Sequence, residues 1–436
     1  MKKNKLLLVL LITMISITGC KQEIVKKNQT EILLMHGWDG IGKDHVAMRN
    51  IFEDFEKENP DIKFLINSYP YSNVIVEKAN DMLAVDKMPD IIFTSGISSF
   101  LTYANKKHKA LDLMPYLLAD AELNNNIHPQ ILKMWAKDEE IYTIPDVLEI
   151  IGYWYNEEIF RKAKITDDGS VDGEVVVPKT WEQFWQACDK INEYNIENNT
   201  DIKIFELHDN FSVGTFLGAR VAGYNTSGTE FMNIIHPTDF DVEPFVNSIK
   251  DIKRLKNYNV DILDGNINDT RYNFRNGNSA IYINGVWDSI QLEDSSIKDN
   301  IKYATFPGYD GNTISFVSAS SGYVVSNEQS QEKIDACIRF IKYMMSEEVQ
   351  LRIALETKQA PQNPNLNMEV LENKDPLFGN ALKVSENATI QLPSIETLWN
   401  IKVLNGIGNN LDDVINNKIS VEDFIVNINA ICNQIN

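Results

Sequence analysis

The sequence predicts an α/β fold in which helices cover a mainly parallel sheet, and three observations carry the prediction. Apolar strands alternate with amphipathic helices from residue 31 onward, the spacing that gives right-handed crossovers between parallel strands. The turns that follow strands hold glycine beside aromatic and acidic residues. A chain of 436 residues, 43% hydrophobic and 24% charged, fits two or three globular domains at roughly 100 to 200 residues each. The same figures exclude disorder, a collagen-like rod and a multi-span membrane protein.

Taken in chain order, Lys2, Lys3 and Lys5 precede an apolar run at 6–17. That run is shorter than a membrane span of ~20 residues and matches the charged and apolar regions of a secretory signal. It ends in Ile17-Thr18-Gly19-Cys20, which resembles the bacterial lipobox. Residues 1–19 are therefore expected to be a lipoprotein signal peptide, Cys20 an acylated anchor to the outer face of the cell membrane, and 20–30 a flexible tether. Cleavage removes three lysines and leaves 38 basic against 62 acidic residues. Nucleic acid is a poor partner for so acidic a chain, because binding it depends on Lys and Arg neutralising phosphates.

A strand at 31–35 leads through His36-Gly37-Trp38-Asp39-Gly40 into a helix whose Ala47, Met48, Ile51, Phe52 and Phe55 share one face. Asn59-Pro60 stops that helix. A strand at 62–66, a helix at 74–85 and a strand at 91–93 ending in Thr94-Ser95-Gly96 follow. Ligands of such sheets bind beyond the carboxyl ends of the strands, where Trp38-Asp39 and Ser95-Gly96 fall. A new strand is expected at 147–154, a surface loop at 166–174 and a helix at 180–195. Strands are expected at 279–285, 302–306 and 316–325, and the last hundred residues read as mainly helical.

Cys188, Cys337 and Cys432 each continue an apolar helical stripe and read as small core residues; three cysteines make no complete disulfide framework. Enzyme motifs are missing: there is no G-x-S-x-G, H-E-x-x-H, Walker A or G-x-G-x-x-G. The six histidines are not spaced as metal pairs, and His45 and His108 read as solvated helix-face residues. A carboxylate pair for glycoside hydrolysis stays open, since 62 acidic residues make chance pairs plentiful. Asp168, Ser170, Asp172 and Gly173 match the first half of a calcium loop, but Lys179 fills the place of the bidentate acid, so a solvated loop is expected there. No cofactor is expected.

Aromatic residues beside polar turn groups are plentiful: Trp38-Asp39, Tyr153-Trp154-Tyr155, Trp287-Asp288 and Ser320-Ser321-Gly322-Tyr323. The pairing suits a sugar, whose C–H faces pack on an aromatic plate while its hydroxyls need hydrogen-bonding partners. Core burial is the commoner fate of a single Trp or Tyr, and Trp135, Trp181 and Trp185 are assigned to it. Trp38 and Trp287 stand apart because each follows a strand at a glycine-containing turn.

With these residues the chain resembles the extracellular solute-binding proteins of ABC importers, the family 1 group that includes the maltose-binding proteins. The resemblance runs over nearly the whole chain beyond the leader, through "FEDFEKENP" at 52–60, Met88-Pro89-Asp90-Ile91-Ile92, Pro178-Lys179-Thr180-Trp181, "FRNGNSAIYINGVW" at 274–287 and Ser320-Ser321-Gly322. It implies two α/β lobes, each a mainly parallel sheet flanked by helices, with the ligand cleft between them and closure about a hinge. Residues 31–145 and 283–326 are placed in the first lobe and 146–282 and 327–436 in the second, with crossings near Pro145, Tyr282 and Ser326.

On this map Trp38, Asp39, Ser95, Trp287, Asp288, Ser321 and Gly322 face the cleft from the first lobe, and Tyr153, Trp154, Phe211 and Gln359 from the second. Trp287 matches the family's Asn-Gly-Pro-Trp turn, with Val286 in place of the proline. Trp287 and Trp38 would stack on a ring, Asp39 and Asp288 accept hydroxyl donors, and Ser321-Gly322 offer backbone amides. The implied role is capture of a carbohydrate by a lipid-anchored monomer and delivery to a membrane permease, without catalysis. A polyamine ligand, a sensory role and a lipoprotein glycoside hydrolase are the alternatives.

Overall fold

The computed structural model describes residues 29–69, 72–94, 99–207, 210–258, 266–319 and 322–435. The leader, Cys20, most of the tether, Ser95 and Ser321 lie outside the described residues. Twelve strands occur among those described: β1 (Thr30–His36), β2 (Ile62–Ser68), β3 (Ile91–Phe93), β4 (Val147–Asn156), β5 (Lys203–Glu206), β6 (Ser279–Gly285), β7 (Ile301–Ala304), β8 (Phe306–Pro307), β9 (Thr313–Ser318), β10 (Tyr323–Val325), β11 (Ala360–Pro361) and β12 (Ile390–Leu392).

Two sheets result, one to each lobe. The first has the order β10-β3-β1-β2, with β1 parallel to β2 and β3, and β10 antiparallel to β3. Strand β1 buries Ile32 and Leu34 in one core and Met35 in another, as a strand covered by helices on both faces must. The second sheet, eight-stranded, runs β12-β9-β4-β6-β5, with β7 and β11 on β4 and β8 on β9. This sheet is mixed and departs from the mainly parallel expectation: β4 is antiparallel to β6, β7 and β9. The turn joining β8 to β9 is too short for a crossover, so these neighbours must run antiparallel.

Strand β4 is the spine of the molecule. Ile151, Tyr153 and Tyr155 enter a core with Phe184, Trp185 and Phe216, while Leu148, Ile150 and Trp154 enter another with Tyr282, Tyr303 and Phe378. At Gly152 a Cβ would stand 2.4 Å from the Ala304 carbonyl oxygen, so β7 approaches as closely as it does only because that residue is glycine. Helix Trp181–Asn198 begins on a capping box between Thr180 and Gln183. Cys188, Cys337 and Cys432 are buried free thiols, and burial pushes the Cys337 thiol up to about 12.

The division of the chain between lobes differs from the expected one. Strands β6 to β9 all pair within the second sheet, so most of 283–326 belongs there and not in the first lobe. Conversely, helix Gln331–Met344 buries Cys337, Phe340 and Ile341 in the same core as Ile32, Phe52 and Phe55; this part of 327–436 covers the first sheet. The run at 316–325, expected as one strand, is two strands in different sheets. Both halves are buried and apolar, so hydrophobicity alone did not reveal the break. The crossings therefore fall at 144–147, between β9 and β10, and at 358–362.

Those three crossings meet in a buried polar junction. Ile144 and Tyr323 exchange backbone hydrogen bonds, the Gly322 amide donates to Thr143 Oγ1 at 2.8 Å, and the Tyr323 hydroxyl donates to Asp146 Oδ2 at 2.7 Å. Gln350 Nε2 donates to the Asp146 carbonyl at 2.8 Å, and its Oε1 accepts the Gln362 amide at 2.8 Å. Burial pushes the Asp146 carboxyl from 3.8 up to about 6, against the pull of the Tyr323 hydrogen bond.

A raised folded-state value means that the folded protein loses stability as Asp146 ionises, from about pH 4 up through about pH 6, by ~3 kcal/mol for a shift of about two units. Asp146→Asn keeps an acceptor for Tyr323 and cannot ionise. Denaturant unfolding of the two proteins at pH 4, 5, 6 and 7 should therefore show the Asn variant gaining steadily on the wild type. A difference that stays flat across this range would mean that Asp146 does not titrate there.

Candidate functional site

In the first lobe the site begins where β1 ends. Beyond His36 the chain turns through Gly37 to Gly42 and enters helix Lys43–Glu58. At Gly37 a Cβ would lie 2.8 Å from Ile75 Cδ1, so a side chain there would require the tip of Ile75 to shift. Four hydrogen bonds from flanking side chains hold the turn. The Trp38 amide donates to His36 Nδ1 at 3.1 Å and the Gly40 amide to His45 Nδ1 at 3.0 Å. Arg49 Nη1 donates to the Trp38 carbonyl at 2.5 Å and to the Gly40 carbonyl at 2.8 Å.

This framework presents Trp38 and Asp39. The Trp38 indole is half-buried, edge-on to His45 at 5.3 Å and tilted against Phe93 at 6.0 Å. Its Nε1 and the Nε2 of His36 are buried with no partner among the described residues. Burial, aided by the Arg49 charge, lowers His36 to about 4, so the ring is neutral and carries its proton on Nε2, the nitrogen that does not accept from Trp38. The Asp39 side chain is exposed and accepts from Ser68 Oγ at 2.8 Å.

In the second lobe the corresponding turn follows β6. Gly285 lets Trp287 fold back on the chain, where a Cβ would meet Trp287 Cζ3 at 2.2 Å. Residues Val286–Asp288 form a 3₁₀ turn, whose typical φ of about −50 to −70° suits valine and proline alike. Trp287 is half-buried, with the Phe211 ring at 6.1 Å and 49°. An exposed ion pair, Lys43 to Glu293 at 3.6 Å with Asp294 at 3.8 Å, joins the first-lobe turn to the β6–β7 connection.

Several residues expected in the cleft are elsewhere. Tyr153 and Trp154 are fully buried in the two cores that flank β4. Tyr153 packs on Phe184 and Phe306, while Trp154 is edge-on to Tyr303 at 4.8 Å and donates to the Gly285 carbonyl. Asp288 is 1% exposed and receives Arg271 through both carboxylate oxygens; it is a structural anion beneath the Trp287 turn, without a carboxylate face for hydroxyls. The Gly322 amide is already donated to Thr143, and a Cβ there would lie 2.2 Å from the Ile144 carbonyl oxygen. Gly322 thus serves the crossing. Trp287 itself follows β6 of the second sheet, not the first. Gln359 stands half-buried at the third crossing, its amide donating to Thr357 Oγ1 at 3.3 Å.

The partial calcium loop is closed on itself: Asp168 accepts from the Ser170 amide at 2.8 Å and its hydroxyl at 3.0 Å. Asp172 donates its own amide to Ser170 Oγ at 3.2 Å. Among the described residues no group of three or more His, Cys, Asp and Glu side chains could hold a metal ion, and no helix is long and apolar enough to cross a membrane. Sequence reasoning missed Arg49, His36 and His45. His45 reads as a solvated helix position, yet it accepts a turn amide; the sole available signal was its place five residues beyond Gly40.

Against known proteins, a family profile described as bacterial extracellular solute-binding protein matches residues 50–379. A "Multiple sugar-binding protein" of Streptococcus mutans is 20% identical over 365 residues, covering 79% of this chain and 78% of that one. Among solved structures, a Streptococcus pneumoniae solute-binding protein in complex with the blood group A-trisaccharide superposes with a TM-score of 0.75 at 22% identity, over 92% of this chain and 99% of that one. A chitin oligosaccharide binding protein does so with a TM-score of 0.75 at 19% identity, over 93% and 99%.

The Asp288 assignment has a direct consequence. Asp288→Asn leaves Arg271 facing a neutral amide, which should cost about 3 kcal/mol of unfolding free energy, the lower end for breaking a buried pair because Arg271 keeps some solvent. Urea unfolding measures this without any ligand. A variant as stable as the wild type would return Asp288 to the list of ligand contacts.

Proposed function

The chain belongs to the bacterial extracellular solute-binding protein family, and from that footing we propose that it captures a carbohydrate between its two lobes for an ABC importer. The family places its work outside the cytoplasm. The observation that carries the ligand class is a pair of half-buried tryptophans, Trp38 and Trp287, each on a strand-end turn, one to a sheet. Aromatic plates of this kind pack on the C–H face of a pyranose ring. The exposed Asp39 carboxylate beside Trp38 supplies an acceptor for hydroxyl groups.

Related proteins support the same class, since the similar chains bind blood group A-trisaccharide and chitin oligosaccharide. Attachment through Cys20, delivery to permease subunits, a monomeric state and the absence of catalysis complete the reading. Binding by closure requires the ligand to contact the closed form better than the open one. Contacts from two turns on different lobes meet that requirement, because an open form can offer only one of them at a time.

The test uses a soluble form starting at Lys21, titrated with blood group A-trisaccharide, chitin oligosaccharides, maltose, raffinose, sugar phosphates and spermidine. A saccharide should give a saturable change in tryptophan emission and raise the melting temperature, corresponding to ~2.7 kcal/mol at a hundredfold excess over Kd. Trp287→Ala should weaken that binding by ~1–3 kcal/mol, as aromatic anchors do, with little change in melting. Spermidine as the only stabilising compound would replace the carbohydrate class with a cationic one, and recovered cleavage products would replace binding with hydrolysis.

A further inference from the structure

The β1 turn raises a question that its ligand-facing residues do not answer. Loops of glycine and exposed side chains are ordinarily mobile, yet this one runs Gly37-Trp38-Asp39-Gly40-Ile41-Gly42 and must hold an aromatic plate in one orientation. Ile41 is fully exposed, so apolar packing at the tip does not fasten it. The fastening is polar and comes from behind.

Both carbonyls that flank Asp39 accept from one nitrogen of Arg49, and the amides of the same two residues donate to His36 and His45. All backbone hydrogen-bonding groups of Trp38 and Gly40 thus end on three side chains, one from β1 and two from the following helix. We propose that Arg49 is a positioning residue for ligand binding, which with His36 and His45 locks the Trp38–Gly40 turn so that the Trp38 plate and Asp39 carboxylate are set before ligand arrives. The inference rests on the binding reading above.

The chemistry of the three residues fits that task and no other nearby. The Arg49 charge faces two carbonyl oxygens, and no carboxylate pairs with it among the described residues. Its removal leaves two half-buried carbonyls without a donor. His36 works only as a neutral ring, because it accepts an amide proton at Nδ1, and His45 accepts the Gly40 amide through its own Nδ1. Protonation of His36 would set donor against donor near a guanidinium. The other charges around the turn are Asp39 on it, Lys43 and Asp44 at the start of the helix, and Glu293 and Asp294 across from Lys43.

The experiment compares wild type, Arg49→Lys, Arg49→Ala, Trp38→Ala and the Trp38→Ala/Arg49→Ala double variant, with raffinose, maltose and chitin oligosaccharides as probes. Arg49→Ala should lose about ten- to hundred-fold in affinity for the saccharide that binds wild type, as misplacement of a contact by about 1 Å does. Arg49→Lys should recover part of the loss. In the Trp38→Ala background the same substitution should cost little, since the plate it orients is gone. Equal losses in both backgrounds, or an unchanged affinity in Arg49→Ala, would overturn the proposal.

A ligand-free arm separates this proposal from the binding reading. The Trp38 share of the fluorescence, taken as the difference from Trp38→Phe in each background, should become more accessible to acrylamide in Arg49→Ala at an unchanged melting temperature. If no saccharide binds wild type, the binding reading fails while this arm still decides whether Arg49 orders the turn. Quenching that stays the same would overturn the positioning role by itself.

Discussion

Everything in this architecture depends on how three chain segments pass between the lobes with much of their backbone buried. Each crossing brings backbone amides and carbonyls into a buried site, and an unpartnered one costs roughly 1–3 kcal/mol. The junction resolves this by making the crossings partner one another. Thr143 serves Gly322, Tyr323 serves Asp146, and Gln350 reaches both Asp146 and Gln362. The arrangement fixes where the lobes are joined, and a hinge needs such a pivot.

The same junction explains why β4 dominates the second lobe. It leaves the pivot at Val147 and is paired on both edges within a few residues, so any rotation of the pivot is carried into the whole second sheet. The turn bearing Trp287 follows β6, which pairs with β4 from Ile151 to Tyr155. The first-lobe turn is carried likewise by β1, whose neighbour β3 pairs with β10 directly after the second crossing. Both tryptophan-bearing turns are therefore only one or two strands removed from the pivot, and the distance between them is set by the crossings.

How legible this was from sequence depends on what each pattern reports. The first β-α-β-α-β unit was readable to within two residues at nearly every boundary, because period and punctuation agreed there. The lobe assignment failed at 316–325, where Phe316-Val317 and Tyr323-Val324-Val325 read as parts of one strand although Ser318-Ala319-Ser320-Ser321-Gly322 stands between them; burial of both strands leaves no trace of a change of sheet. The aromatic signal failed similarly. Tyr153 and Trp154 lie on a strand with a core on each face, so a polar neighbour in sequence says nothing about exposure. Trp38 and Trp287 were distinguishable because they sit on turns beyond strand ends, and both stay half-buried. Asp288 looked like a ligand contact because its partner, Arg271, is seventeen residues away, and Arg49 was invisible because its partners are carbonyls, which every residue has.

These assignments bear together on what kind of ligand the turns can receive. Around them the cations are already engaged: Arg49 by two carbonyls, Arg271 by Asp288, Lys43 by Glu293 and Asp294. An anionic ligand would have to displace one of these partners, in a protein whose formal charge is −21 and whose field opposes its approach. Among the described residues of the two turns, the polar capacity left exposed is the Asp39 carboxylate. A neutral molecule with apolar faces and hydroxyl groups can use it together with the aromatic surface of the two turns without disturbing any existing pair. The proposed ligand class thus rests as much on the charges that the fold has neutralised as on the rings that it presents.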